Sequence, residues 1–94
     1  MYKLSLKAVK DFSGIYQYTL NNFGEQQAER YTFEMESCLS SLGFSPYLGR
    51  DYSYLKAGIK RYDISKHAIF YRIRITRIFV IRILHYQMDS RSYL

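Results

Sequence analysis

Apolar residues in this chain change their period once, near Gly58, from three-and-four spacing to alternation. A three-to-four period places side chains on one face only in a helix, and a two-residue period does so only in a strand. The change therefore divides the 94 residues into a helical first part and a stranded last part. In the first part Ala8, Phe12, Ile15 with Tyr16, Thr19 and Phe23 share one helical face. Asn21, Asn22 and Gly24 follow as a stop, since Asn and Gly tolerate the left-handed conformation that ends helices. A second helix is expected from Glu25 to Leu42, with Ala28, Tyr31, Met35, Cys38, Leu39 and Leu42 inward. Glu25 and Glu29 favour its N-terminal dipole, and Gly43 and Pro46 are expected to end it. Two helices joined by so short a link make an antiparallel hairpin.

Residues 43–58 carry turn signals. Beyond them 59–65, 68–75 and 78–85 read as strands, the last two joined at Thr76-Arg77 or by a slightly longer loop. A short strand is expected at Lys3–Leu6. Alternation puts Ile69, Tyr71, Ile73 and Ile75 on one face of the middle strand and Phe79, Ile81 and Ile83 on one face of the last. The helices would cover that face, leaving Arg61, Arg72, Arg74 and Arg82 opposite. The fold class is α+β in the order β-α-α-β-β-β, a helical hairpin on an antiparallel sheet within a single domain.

Charge is segregated as well. Residues 1–49 hold four Lys/Arg and five Asp/Glu, and residues 50–94 hold ten and three. The second half thus attracts an anionic partner. The single cysteine, Cys38, has no internal disulfide partner, and a small buried apolar role in a reducing cytoplasm is expected. The start lacks the apolar core of a signal peptide, and no apolar run reaches the ~20 residues of a membrane span. His67, His85 and Cys38 are too few for a four-ligand zinc site, so no metal or cofactor is expected. His67 fits a strand edge. The glycines are scattered singly, which excludes a phosphate-cradling loop, and no sequence-specific DNA-binding motif occurs.

Five blocks in register resemble a known family. They are Leu4-Ser5 with Ala8 and Asp11-Phe12; Phe23-Gly24 with Gln27-Ala28; Pro46 with Gly49-Arg50; His67 through Arg72; and Arg82 through His85 with Met88-Asp89. They resemble the ParE branch of the RelE/ParE toxin–antitoxin superfamily across nearly the whole chain. The resemblance implies a ParD-like, DNA-binding antitoxin as partner and DNA gyrase as target, with no catalysis. On that basis Arg82, His85, Tyr86, Asp89 and Arg91, with the tail to Leu94, are expected to meet gyrase. Phe12, Tyr16, Tyr31, Arg61 and Arg72 are expected to meet the antitoxin. Arg82 pairing with Asp89 is the plain structural alternative. The competing functional reading is a RelE-like ribosome-dependent RNase using Arg61, Arg72, Arg82, His85 and Tyr86 to handle charge and protons at a phosphate. An inactive co-repressor is a third.

Overall fold

A computed structural model describes all 94 residues. The N-terminal strand β1 spans Tyr2–Leu4, and the hairpin comprises α1, Leu6–Phe23, and α2, Glu25–Phe44. After a 3-10 turn at Pro46–Leu48 come β2 (Arg50–Asp51), β3 (Lys60–Ile64), β4 (His67–Ile73), β5 (Ile78–His85) and a short α3 (Ser90–Tyr93). The sheet order is β1-β5-β4-β3-β2. β1 runs parallel to β5 and every other pair is antiparallel, so the sheet is mixed rather than wholly antiparallel. The α+β class and the expected element order hold, with β2 and α3 added.

The boundaries move for local reasons. Helix α1 begins at Leu6 because the Ser5 side chain accepts a hydrogen bond from the Ala8 N–H at 3.0 Å, satisfying one of the helix's orphan donors. Asn21 and Asn22 remain inside it, and Gly24 alone makes the link, at φ 90°. Gly43 does not stop α2. The helix continues to Phe44, and a Cβ at Gly43 would overlap the Met1 backbone. That glycine permits close approach of two chain segments rather than a turn. The β4–β5 connection is four residues, 74–77, closed by the Arg74 N–H donating to the Arg77 carbonyl at 2.8 Å.

The helix-facing core joins Ala8, Met35, Leu39 and Leu42 to Ile69, Tyr71, Ile78, Val80 and Ile83. Ile78 and Val80 contradict the expected alternation, which put Phe79 and Ile81 inward. The cause is a β-bulge: Phe70 pairs with Arg82 but Tyr71 pairs with Val80, so Ile81 is an extra residue. One inserted residue reverses the parity of a strand. Ile83 faces the helices as expected, whereas Ile81 packs with a second cluster of Ile59, Ala68, Phe70 and Leu84 on the far face. Tyr52 and Leu94 help to cover that cluster. The far face is therefore half covered, not a bare row of arginines, and Ile75 lies fully exposed in the turn.

Tyr71 fastens the loop after α2 to the core. Its hydroxyl donates to the Pro46 carbonyl at 2.6 Å and accepts from the Gly49 N–H at 3.0 Å. Tyr71→Phe would leave both backbone groups without that partner in a nearly dry site. We expect a loss of about 1–3 kcal/mol, read by urea denaturation. An unchanged midpoint would mean that water replaces the hydroxyl without cost.

Candidate functional site

Strand β1 ends at Leu4, but β5 continues to His85. The open edge of β5 past that point is closed by Ser5, which caps α1, and by Asp11 within that helix. Ser5 donates from N to the Val80 carbonyl at 2.9 Å and from Oγ to the Ile81 carbonyl at 2.7 Å. Asp11 Oδ2 accepts from the Ile83 N–H at 3.0 Å and from Arg82 Nε at 2.7 Å, and Oδ1 accepts from Arg82 Nη2 at 2.9 Å. Both side chains are about 15% exposed, and such a bidentate pair is the strong form of the interaction. Arg82 also donates from Nη1 to the Tyr93 carbonyl at 3.1 Å, its guanidinium lying over the Tyr93 ring.

These contacts correct two expectations. Arg82 pairs with Asp11, not with Asp89. Asp89 caps α3 by accepting from the Arg91 N–H at 3.1 Å, and it pairs with Arg91 at 3.3 Å. Nor does the tail project freely from β5. Ser90 is buried, Leu94 packs on the far-face cluster, and Lys56 Nζ donates to the Leu94 carbonyl at 3.2 Å. Tyr86, Asp89 and Arg91 remain exposed.

Between α1, the first turns of α2 and the β3–β4 and β5 ends of the sheet, a groove of roughly 710 Å³ opens. Its walls carry Lys10, Ile15, Tyr18 and Phe23 from the first helix, Tyr31 from the second, and Lys66, His67, His85 and Met88 from the sheet side. Asp11 is the one carboxylate lining it, and Arg82 already engages that group. Lys10 and Lys66 therefore leave the groove positive around an apolar floor. Tyr18 lies outside the apolar face that periodicity assigns to α1, and Phe23, expected on that face, is exposed instead because it ends the helix beyond the sheet-covered part. Large apolar side chains left in solvent beside lysines were the available sequence signal for this site.

His67 forms the groove's end wall. Its Nδ1 stands 2.7 Å from the Tyr31 hydroxyl, and its ring meets His85 edge-on at 5.6 Å. His85 faces the helix side as expected and stacks on Tyr86. Burial pushes His67 down to about 4, with His85 and Lys66 adding repulsion. The neutral ring shares one hydrogen with the Tyr31 hydroxyl, which also lies 3.3 Å from the Ile64 carbonyl. Cys38 is half-buried against the core, and burial pushes its thiol up, the behaviour of an inert packing residue.

The ten residues singled out from sequence do not form one surface. Arg82, His85 and Tyr31 meet in the groove, whereas Phe12 and Tyr16 sit half-buried elsewhere on α1. Arg61 and Arg72 lie on the far face. Arg61 pairs with Asp63 at 2.8 Å and covers the Tyr52 and Phe70 rings, and Arg72 Nε donates to the Ala57 carbonyl at 3.2 Å.

Residues 2–90 match the family model described as the ParE toxin of the type II toxin–antitoxin system, parDE. The chain belongs to the ParE toxin family. It is 32% identical over 93 residues to Toxin ParE1 of Caulobacter vibrioides, covering 99% of this chain and 96% of the relative. It is 30% identical over 89 residues to Toxin ParE1 of Mycobacterium tuberculosis, covering 94% and 91%. A solved chain of the chromosomal ParDE system from P. aeruginosa superposes with a TM-score of 0.75 at 18% identity, covering 89% of this chain and 92% of that one. That last likeness concerns the fold. As in the sequence reading, the ParE-family match spans nearly the whole length, and no helix is long and apolar enough to cross a membrane.

Two stability effects follow. Asp11→Ala strands the Ile83 N–H and the Arg82 charge together, and we expect about 3 kcal/mol of destabilisation in urea, with Asp11→Asn losing less. A loss below about 1 kcal/mol would mean that the edge re-forms around water. The unfolded His67 imidazole titrates near 6.5 and the folded one near 4. Its contribution is full above pH ~6.5 and falls as the unfolded chain alone takes up a proton between those values. Allowing for solvent screening at a half-buried site, about 1–2 kcal/mol should disappear between pH 7 and pH 4. The His67→Gln variant should lack this component in the same titration.

Proposed function

We propose that this ParE-family chain inhibits DNA gyrase in the cytoplasm as a binding protein, not an enzyme, and that a cognate ParD-like antitoxin neutralises it. The reading rests on family membership together with one observation: Arg61 and Arg72 do not join His85 and Tyr86, and the one arginine beside His85 is already engaged by a carboxylate. Arg61 and Arg72 lie on the far face, His85 turns to the helix side, and Arg82 is held by Asp11. General acid–base work on a phosphate needs its proton-transfer groups within hydrogen-bond reach of one reacting centre. Dispersed arginines serve recognition of anionic groups better, since each presents a planar fork.

The groove is the best site for the antitoxin. Its apolar floor accepts one stripe of an amphipathic segment, and Lys10 and Lys66 receive acidic residues flanking that stripe. The exposed Tyr86 and Arg91 are the better candidates for gyrase, because neither is needed to close the core. Removing residues 87–94 would uncover the far-face cluster, so point changes are the sound test. With gyrase, ATP and plasmid, the wild-type chain should abolish supercoiling or trap cleaved DNA, and the antitoxin should reverse the effect. Tyr86→Ala with Arg91→Ala should weaken inhibition about tenfold while antitoxin binding stays intact. Lys10→Glu with Lys66→Glu should do the opposite, weakening antitoxin binding by at least tenfold, about 1.4 kcal/mol. Unaffected gyrase beside cut mRNA in a parallel translation reaction would replace this reading with the RNase.

A further inference from the structure

The uncovered half of the far face has a composition unlike the rest of the molecule. Tyr2, Leu4, Tyr71 and Ile73 all pack toward the helices, so the intervening Lys3 and Arg72, with Arg74, turn to the other side. In register, Lys3 stands beside Phe79 and Phe79 beside Arg72. Arg74 lays its guanidinium over the Phe79 ring, 5.7 Å from its centre. The turn then adds Arg77 and the fully exposed Ile75. Four cations thus surround two apolar side chains at the β4–β5 turn and the β1 strand beside it.

None of these cations has a carboxylate. The four ion pairs of the molecule use Arg50, Arg61, Arg82 and Arg91. All four glutamates lie in α2, the second helix of the hairpin on the other side of the sheet. A folded domain that leaves one patch of cations unpaired presents a site for a polyanion.

We propose that this patch is a sequence-independent binding surface for the phosphate backbone of duplex DNA. Its shape favours DNA over an acidic protein segment. Three neighbouring strands put Lys3 and Arg72 about 10 Å apart, comparable with the ~12 Å width of a major groove, so the cations can reach phosphates along its rim. An acidic amphipathic segment needs an apolar trough, and the patch offers only Phe79 and Ile75 outside the covered half. Arginine and lysine contacts to phosphate carry no base readout, in keeping with the lack of any sequence-specific DNA-binding motif. The inference stands whether or not gyrase is the target.

The test is fluorescence anisotropy of the full chain with a labelled 20-base-pair duplex of arbitrary sequence across a salt series. Four neutralised phosphates predict a slope of log K against log salt of about −3.6, or roughly a hundredfold loss from 50 to 200 mM. Arg74→Gln with Arg77→Gln should flatten that slope by about 1.8. Arg74→Lys with Arg77→Lys should preserve it, which separates charge from folding. Lys7→Gln with Arg30→Gln removes the same net charge from the helical hairpin and should leave the slope unchanged. Equal flattening by that control, or no flattening by the first pair, would overturn the proposal. So would loss of antitoxin binding in Arg74→Gln/Arg77→Gln with DNA binding intact, which would assign the patch to an acidic protein.

Discussion

The Asp11 carboxylate is the point on which the helical and sheet layers depend. Strand β1 is three residues long and β5 is eight, so most of the outer edge of β5 has no strand beside it. Exposed edges invite pairing with other chains, and buried backbone donors without partners are costly. Ser5 and Asp11 resolve both problems from one helix. Ser5 caps α1 while donating to β5, and Asp11 ties the Ile83 N–H and Arg82 to that same helix. The Ile81 carbonyl and the Ile83 N–H of β5 are thereby paired to side chains rather than to a strand. The groove opens beside this clamp, with Asp11 and Arg82 in its lining.

The bulge at Ile81 is the companion of the clamp. It lets the inward positions of β5 be Ile78, Val80 and Ile83 rather than a strict alternation. Ile81 is freed to join Ile59, Phe70 and Leu84 on the far face, where Leu94 closes over them. A sheet with an apolar cluster on each face needs a cover on each face. The helical hairpin provides one, and the loop after β2 with the C-terminal segment provides the other. The tail is consequently a packing element first. Any contact it makes with a partner must come from the exposed side chains of that folded segment.

How much of this was legible follows from which signals are local. The 3.6-residue period of α1 and α2, the link at Gly24 and both ends of β5 are written in consecutive residues and agree with the fold. The bulge is not, because Ile78 through Ile81 is an unbroken β-forming run in which either parity buries apolar groups. Gly43 looked like a helix stop since its role depends on Met1, 42 positions away. The clamp joins residues 71 and 72 positions apart. Both of its ends lay in blocks that resemble the ParE family, yet spacing alone favoured the nearer Asp89 as the partner of Arg82. Candidate-site residues fared less well than elements for the same reason. Arg61 and Arg72 were grouped with Phe12 and Tyr31 as antitoxin contacts, and the sheet separates them.

Charge segregation in the sequence becomes a separation of faces in the fold. The glutamates collect on α2, where Glu25 in the first turn also favours the helix dipole. Helical residues on the solvent side cannot reach across a sheet to neutralise Lys3, Arg72, Arg74 and Arg77. The same topology leaves Lys10 and Lys66 flanking a groove whose single carboxylate is committed to Arg82. Two cationic surfaces therefore exist on opposite sides of one small sheet, one with an apolar trough and one nearly flat. A trough selects for side-chain stripes, and a flat cationic patch selects for charge density alone. The groove proposed for the antitoxin and the patch proposed for duplex DNA would thus select anionic partners by different physics, because the five-stranded sheet separates the two surfaces.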